Sequence, residues 1–261
     1  MFSTLKNNFR QLLPKRLRSR LGYGVGIDTM AFDTARSVKE DIETKYGDAG
    51  PLLDIFVNNE GYPVHKWHHY IPIYERYFSS FRDQPLRFLE IGVFRGGSLK
   101  MWREYFGPEA VIYGVDNDPQ CARYDGQHGE VRIGSQDDEK FLLSVVEEMG
   151  GVDIVLDDGS HQVKHLKKSF NVLFPLLTEG GIYMAEDLHT SYWRGYGGAY
   201  GRKSNFWGFV LERINDMHHW YHVNPLRNPA LQDMCSSIHV HDSIAVFEKK
   251  QSFRPAHSVI P

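Results

Sequence analysis

Short apolar runs recur through the middle of the chain, and most end in an acidic residue or a glycine-rich turn. RFLEIGV (Arg87–Val93), AVIYGVD (Ala110–Asp116), GEVRIGS (Gly129–Ser135), VDIVLDD (Val152–Asp158) and IYMAEDL (Ile182–Leu188) all have strand length. Helix-length stretches separate several of them. SLKMWREYF follows the first, DEKFLLSVVEEMG follows the third with Gly150 and Gly151 as its stop, and HQVKHLKKSFNVLFPLLTEGG holds a helix and then a turn. Strands alternating with helices predict parallel βαβ units with right-handed crossovers, an α/β class. In such sheets ligands sit beyond the carboxyl ends of the strands.

The alternation stops after Asp187. HTSYWRGYGGAYGRKSNFWG, rich in glycine, aromatic and basic residues, reads as a functional loop. A helix is expected near FVLERINDMHHWYH. CSSIHVHDSIAVFEKK then carries two alternating runs flanking His241, Asp242 and Ser243, which predicts a hairpin. Before the first strand, SVKEDIETKYG reads as an exposed helix closed by Gly47. HKWHHYIPIYERYFSSF is dense in aromatics, which suits either packing against the sheet or a lid over a ligand. The first 22 residues carry Lys6, Arg10, Lys15, Arg16, Arg18 and Arg20 and no acid, with apolar residues at helical spacing up to Pro14. A mobile or subunit-contacting arm is favoured there over contact with an anionic membrane surface. The expected organisation is a basic arm and helical cap over 1–80, a catalytic α/β domain over 81–250, and a loose tail over 251–261. Arm and aromatics together suggest a homo-oligomer.

Composition narrows the classes. A net charge of -3 gives no reason to expect a nucleic-acid partner. Cys121 and Cys235 form no paired motif, which argues against a disulfide framework or zinc ribbon and for a reducing, cytoplasmic setting. No apolar run approaches the roughly 18 residues of a membrane span, and the N-terminus lacks an apolar signal core.

The candidate chemistry gathers at the strand ends. EIGVFRGGS has the pattern E-x-G-x-x-x-G-G, a partial dinucleotide-type loop whose glycines permit close approach of a ligand. Asp116 ends the second strand, where a carboxylate can accept bonds from both ribose hydroxyls. GSQDD, at the end of the third strand, would flank an adenine. Glu90, Gly92, Ser98, Asp116, Ser135, Gln136, Asp137 and Asp157 are therefore the candidate residues for an adenosine-bearing ligand. DDGSH and AEDLH bring further acids to the edge. Asp158, Glu186 and Asp187 would place three negative charges together, so one must protonate unless a cation or basic neighbours neutralise them. A hard divalent ion with oxygen ligands resolves the conflict, and surface acids satisfied by basic residues is the rival reading. His161 and His165 at helical spacing suggest zinc, but no glutamate intervenes in the metalloprotease manner and no cysteine is near.

From Arg87 to about Lys249 the chain resembles class I S-adenosylmethionine-dependent methyltransferases, whose Rossmann-like sheet has seven strands, the last two a hairpin. DDGSH with AEDLHTSYW resembles more specifically the Mg2+-dependent sugar O-methyltransferases of the mycinamicin 2''-O-methyltransferase type, related to the 7-hydroxycephem methyltransferase group. The resemblance implies S-adenosylmethionine as donor, S-adenosylhomocysteine as product, Mg2+ on Asp158, Glu186 and Asp187, and His161 as general base. It implies a sugar hydroxyl of a glycoside, natural product or polysaccharide as acceptor. The macrolide enzymes carry a large N-terminal auxiliary domain, whereas only about eighty residues precede the sheet here, so acceptor choice and assembly do not carry over. A catechol-type acceptor, a nicotinamide-dependent oxidoreductase and a non-catalytic donor-binding module are the alternatives.

Overall fold

The computed structural model describes residues 30–261 apart from 34, 224–230 and 232; the basic arm lies outside the described residues. Seven strands, β1 (Arg87–Ile91), β2 (Val111–Asp116), β3 (Glu130–Ile133), β4 (Val152–Asp157), β5 (Leu177–Ala185), β6 (Cys235–His241) and β7 (Ile244–Lys249), form one sheet. Their order is β3-β2-β1-β4-β5-β7-β6. The first five are parallel, and β7 lies antiparallel between β5 and β6. This is the expected seven-stranded sheet with its closing hairpin. The order reverses between β1 and β4, so the carboxyl ends of those two neighbours open the crevice in which a ligand can sit.

Both faces of the sheet are covered, and the period-two alternation of each strand feeds two cores. Phe88, Ile154, Leu156, Met184 and Val246 point to one side. Leu89, Ile91, Val155, Tyr183 and Phe247 point to the other. The first core is closed by α1 (Val38–Tyr46), α2 (Gly50–Val57), α3 (Tyr70–Phe78) and α4 (Gly97–Phe106). Ile42, Leu52, Tyr74, Phe78, Trp102 and Phe106 are fully buried there. The segment before the sheet thus shares the sheet's own core. The second core is closed by α5 (Glu139–Met149), α6 (Val163–Leu173) and α7 (Phe206–Met217), through Leu142, Val146, Leu166, Phe170, Phe209 and Val210.

Local signals explain the element ends. Ser37 caps α1 by accepting the amide of Glu40, and Gly47 closes the helix at φ 85°. Asp138 accepts the amides of Lys140 and Phe141 at the start of α5, and Gly150 ends it in the left-handed conformation. Two expectations shift. His161 precedes α6, which begins at Val163, so His161 and His165 do not share a helix face. The stretch after β5 contains short 3-10 turns at Leu188–Tyr192 and Arg194–Tyr196 before α7. Residues 250–261 have no regular structure, although the Gln251 amide donates to Glu179 (3.0 Å). Among the described residues no helix is long and apolar enough to cross a membrane.

Candidate active site

A cavity of about 340 Å³ lies beyond the ends of β1, β2, β4 and β5. Its floor is the loop after β1. Gly92 has φ 104°, and a Cβ there would overlap the Asp158 carbonyl oxygen and lie 2.8 Å from its carbon. Only glycine allows the ends of β1 and β4 to approach so closely. A Cβ on Gly97 would likewise lie 2.6 Å from the Pro63 carbonyl carbon, so this glycine seats residues 62–63 against the start of α4. Asp116 Oδ2 accepts the amides of Val93 and Phe94, both at 3.0 Å, while Oδ1 accepts that of Asp118 at 2.9 Å. The carboxylate at the end of β2 therefore fixes the glycine loop, and a carboxylate has lone pairs to spare for further donors.

Of the candidate donor-binding residues, Gly92, Ser98, Asp116, Ser135 and Gln136 line this cavity. Glu90, Asp157 and Asp137 do not line it. Glu90 is fully buried and accepts Ser98 Oγ (2.7 Å) and Trp102 Nε1 (3.1 Å). Burial pushes its carboxyl up to about 7, against the opposing pull of Lys66. Asp157 is also fully buried, accepting from Gln136 Nε2 (3.0 Å), Ser169 and Tyr183. Burial raises its carboxyl despite those donors. It positions Gln136, whose Oε1 accepts the Ser160 amide at 2.7 Å. Asp137 takes the Ser135 hydroxyl (2.6 Å) and stands 3.4 Å from His165 Nε2.

The acids at the ends of β4 and β5 share the same cavity. Period two separates Asp157 from Asp158, so the second aspartate faces the pocket. There Lys66, which the sequence reading did not single out, stands between two of the three predicted metal ligands. Its Nζ donates to Asp158 Oδ2 (2.6 Å) and to both Glu186 oxygens (3.0 and 3.1 Å). Lys66 and Glu186 side chains are 3% and 1% exposed. Burial alone would depress the Lys66 ammonium, but the carboxylates of Asp158, Glu186 and Glu90 outweigh it and hold it above its ordinary value. Burial, reinforced by Asp158, pushes the Glu186 carboxyl well up, with Lys66 opposing. Part of the charge conflict is thus met by a basic neighbour.

Asp187 is held by two donors on one oxygen: Tyr70 OH at 2.8 Å and Trp67 Nε1 at 3.1 Å, both to Oδ1. Its other oxygen faces His161 Nε2 at 3.7 Å, and Asp158 Oδ1 faces the same nitrogen at 3.8 Å. One donor atom from each of Asp158, His161 and Asp187 lies within 4.8 Å of the others. His161 and Asp187 both adopt left-handed backbone, φ 54° and 53°, a strained conformation for residues other than glycine. His161 Nδ1 is buried with no partner among the described residues. Two carboxylate oxygens not spent on other donors, converging beside an imidazole, are a donor set that fits a hard divalent cation. Glu186 could join only if Lys66 released it. An aromatic wall continues outward: His161 to Tyr196 (6.5 Å between rings), Tyr196 to Trp193 (5.8 Å), Trp193 to His189 (4.9 Å) and His189 to Trp67 (5.7 Å). The aromatic stretch before α3 serves both readings, since Tyr74 and Phe78 are core while Lys66, Trp67 and Tyr70 line the cavity.

A family model described as a methyltransferase domain matches residues 89–188. The chain carries a methyltransferase domain. It is 42% identical over 203 residues to the 8-demethyl-8-(2-methoxy-alpha-L-rhamnosyl)-tetracenomycin-C 3'-O-methyltransferase of Streptomyces olivaceus, covering 70% of this chain and 50% of that protein. It is 37% identical to the mycinamicin VI 2''-O-methyltransferase of Micromonospora griseorubida, covering 70% and 48%. The MycE methyltransferase of the mycinamycin pathway, solved with Mg, SAH and mycinamycin VI, superposes with a TM-score of 0.67 at 30% identity. That match covers 83% of this chain and 54% of that one. This chain therefore spans about half the length of these relatives.

Proposed function

We propose that this chain transfers the methyl group of S-adenosylmethionine to a hydroxyl of a sugar in a glycosylated small molecule, with a divalent cation such as Mg2+ as cofactor. The observation that carries this reading is one continuous cavity joining the glycine loop and Asp116 to Asp158, His161 and Asp187. The names of the relatives support the acceptor class, since one is a 3'-O-methyltransferase of a rhamnosyl-tetracenomycin C and another a 2''-O-methyltransferase of mycinamicin VI. The Mg and SAH held by MycE support the cofactors.

In this reading the loop after β1 admits the donor, Asp116 takes its ribose, and Ser135 and Gln136 flank its base. The acceptor hydroxyl lies beside His161. The hydroxyl oxygen attacks the methyl carbon as the sulfur–carbon bond breaks, giving a methyl ether and S-adenosylhomocysteine. His161 Nε2, 3.7 and 3.8 Å from the Asp187 and Asp158 oxygens, receives the hydroxyl proton. Such base assistance contributes about 10²–10⁴-fold. A divalent cation on Asp158 and Asp187 would supply the positive charge that acidifies the hydroxyl. Trp193, Tyr196 and Trp67 offer flat faces for the sugar and aglycone. Alignment of donor and acceptor in one cavity removes the entropic barrier to their encounter.

Titration calorimetry of S-adenosylhomocysteine, with and without Mg2+ and with glycoside or catechol added, tests the reading. It expects donor-product binding that Asp116→Ala weakens, and glycoside binding that needs the cation. Binding of NAD in place of S-adenosylhomocysteine would contradict it.

A further inference from the structure

We propose that Lys66 is a tethered rival of the divalent cation: its ammonium holds Asp158 and Glu186 together when no ion is bound, and it sets how tightly an ion is taken. This inference rests on the cation reading above and deepens it.

The geometry is that of a cation seat with a cation in it. Three short contacts, 2.6 Å to Asp158 and 3.0 and 3.1 Å to Glu186, converge on one nitrogen that is almost wholly enclosed. Without the ammonium, Glu186 would be a buried carboxylate facing a second carboxylate, an arrangement of high cost. The backbone that delivers Lys66 is anchored. Pro63 packs on Gly97, the Tyr62 carbonyl accepts from Asn59 (2.7 Å), and the Tyr62 hydroxyl donates to Gln127 (2.5 Å). Trp67 next to it is tied to Asp187. Only the four-carbon stem is left to move, and lysine is a point charge on a flexible stem.

Consequences follow from charge alone. Asp158, Glu186 and Asp187 offer at most three negative charges, and the ammonium already lies against two of the three carboxyls. An incoming ion meets that positive charge a few ångströms away and finds one Asp158 oxygen and both Glu186 oxygens engaged. The ion is therefore bound less tightly than three free carboxylates would bind it. In exchange, the acids stay assembled in the ion-free protein. Replacing Lys66 with an uncharged side chain of similar length should reverse both effects.

Mn2+ serves as the probe, followed by electron paramagnetic resonance in the wild type, Lys66→Met, Lys66→Arg and Asp187→Asn, with thermal unfolding of each alongside. Lys66→Met should bind Mn2+ at least about tenfold more tightly than wild type. Its Tm should fall without the ion and recover when Mn2+ saturates. Lys66→Arg keeps the charge and should keep wild-type affinity. Equal affinity in Lys66→Met and wild type, with Asp187→Asn weakened, overturns the role of Lys66 and leaves the cation site standing. Mn2+ binding that is missing throughout, or indifferent to Asp187→Asn, overturns the cation site and this inference with it. If Lys66→Met fails to fold without the ion, refolding on Mn2+ supports the proposal, and failure to refold overturns it.

Discussion

Gly92→Ala is the most direct probe of how the sheet builds the cavity. The residue has φ 104°, and an added Cβ would run into the Asp158 backbone, 2.8 Å from its carbonyl carbon. Backbone strain at such an angle costs about 1–3 kcal/mol, and forcing a methyl into a packed contact about 1–3 kcal/mol more. Reduced freedom of the unfolded chain returns about 0.4–1 kcal/mol. The net loss should be roughly 1–5.5 kcal/mol, centred on about 3. Gly150 is the control, for it also has positive φ (74°) but no atom within 4 Å of its virtual Cβ. Gly150→Ala carries the strain without the overlap and should lose about 1 kcal/mol. Urea unfolding of the two variants beside wild type measures the difference. Because the relief of the overlap must move Asp158, Gly92→Ala should also weaken Mn2+ binding, and Gly150→Ala should not. A Gly92→Ala protein as stable as Gly150→Ala would refute the close approach of the β1 and β4 ends.

Other outcomes follow from the same geometry. Glu90 has its carboxyl raised by burial to about 7, against 4.5 when free. Its share of stability is thus full below pH 4.5 and lost as pH climbs through 7, a loss of about 3 kcal/mol by pH 8. Urea unfolding at stepped pH should show Glu90→Gln with a shallower decline than wild type over pH 5–8, and parallel slopes would count against it. His161→Ala should lower kcat by about 10²–10⁴-fold in a labelled-methyl assay while sparing S-adenosylhomocysteine binding; loss of that binding instead would assign His161 to the donor. Trp193→Ala should raise KM for the acceptor and leave donor affinity unchanged, whereas unchanged acceptor kinetics would remove the aromatic wall from the acceptor site.

The sheet was legible in the sequence because each strand of β1 to β5 is a short apolar run and the helix between β3 and β4 is bounded by the capping signals Asp138 and Gly150. The hairpin was legible from the alternation in Cys235–Lys249. Legibility ended where long-range contacts decide. Lys66 meets Asp158 and Glu186 across 92 and 120 residues of chain, and one lysine within an aromatic stretch gives no local sign of its partners. Asp157 and Asp158 are adjacent in sequence, yet strand alternation sends the first to Tyr183 and Ser169 and only the second to the cavity. That division was available from the period of the strand. The same period points Glu90 to the side of Phe88 and Trp102, where it does not line the cavity. Asp116 was expected to meet a ribose; the amides of Val93 and Phe94 that it fixes could be found only in three dimensions.

In the proposed function a donor pocket and a cation-assisted acceptor site are one cavity. Transfer of a labelled methyl group from S-adenosylmethionine to a panel of deoxysugar glycosides and catechols, with Mg2+ and then with a chelator, tests it most directly. A label should appear on a sugar hydroxyl with Mg2+, vanish on chelation and return when Mg2+ is restored. Label transfer indifferent to the chelator, or confined to catechols, would contradict it.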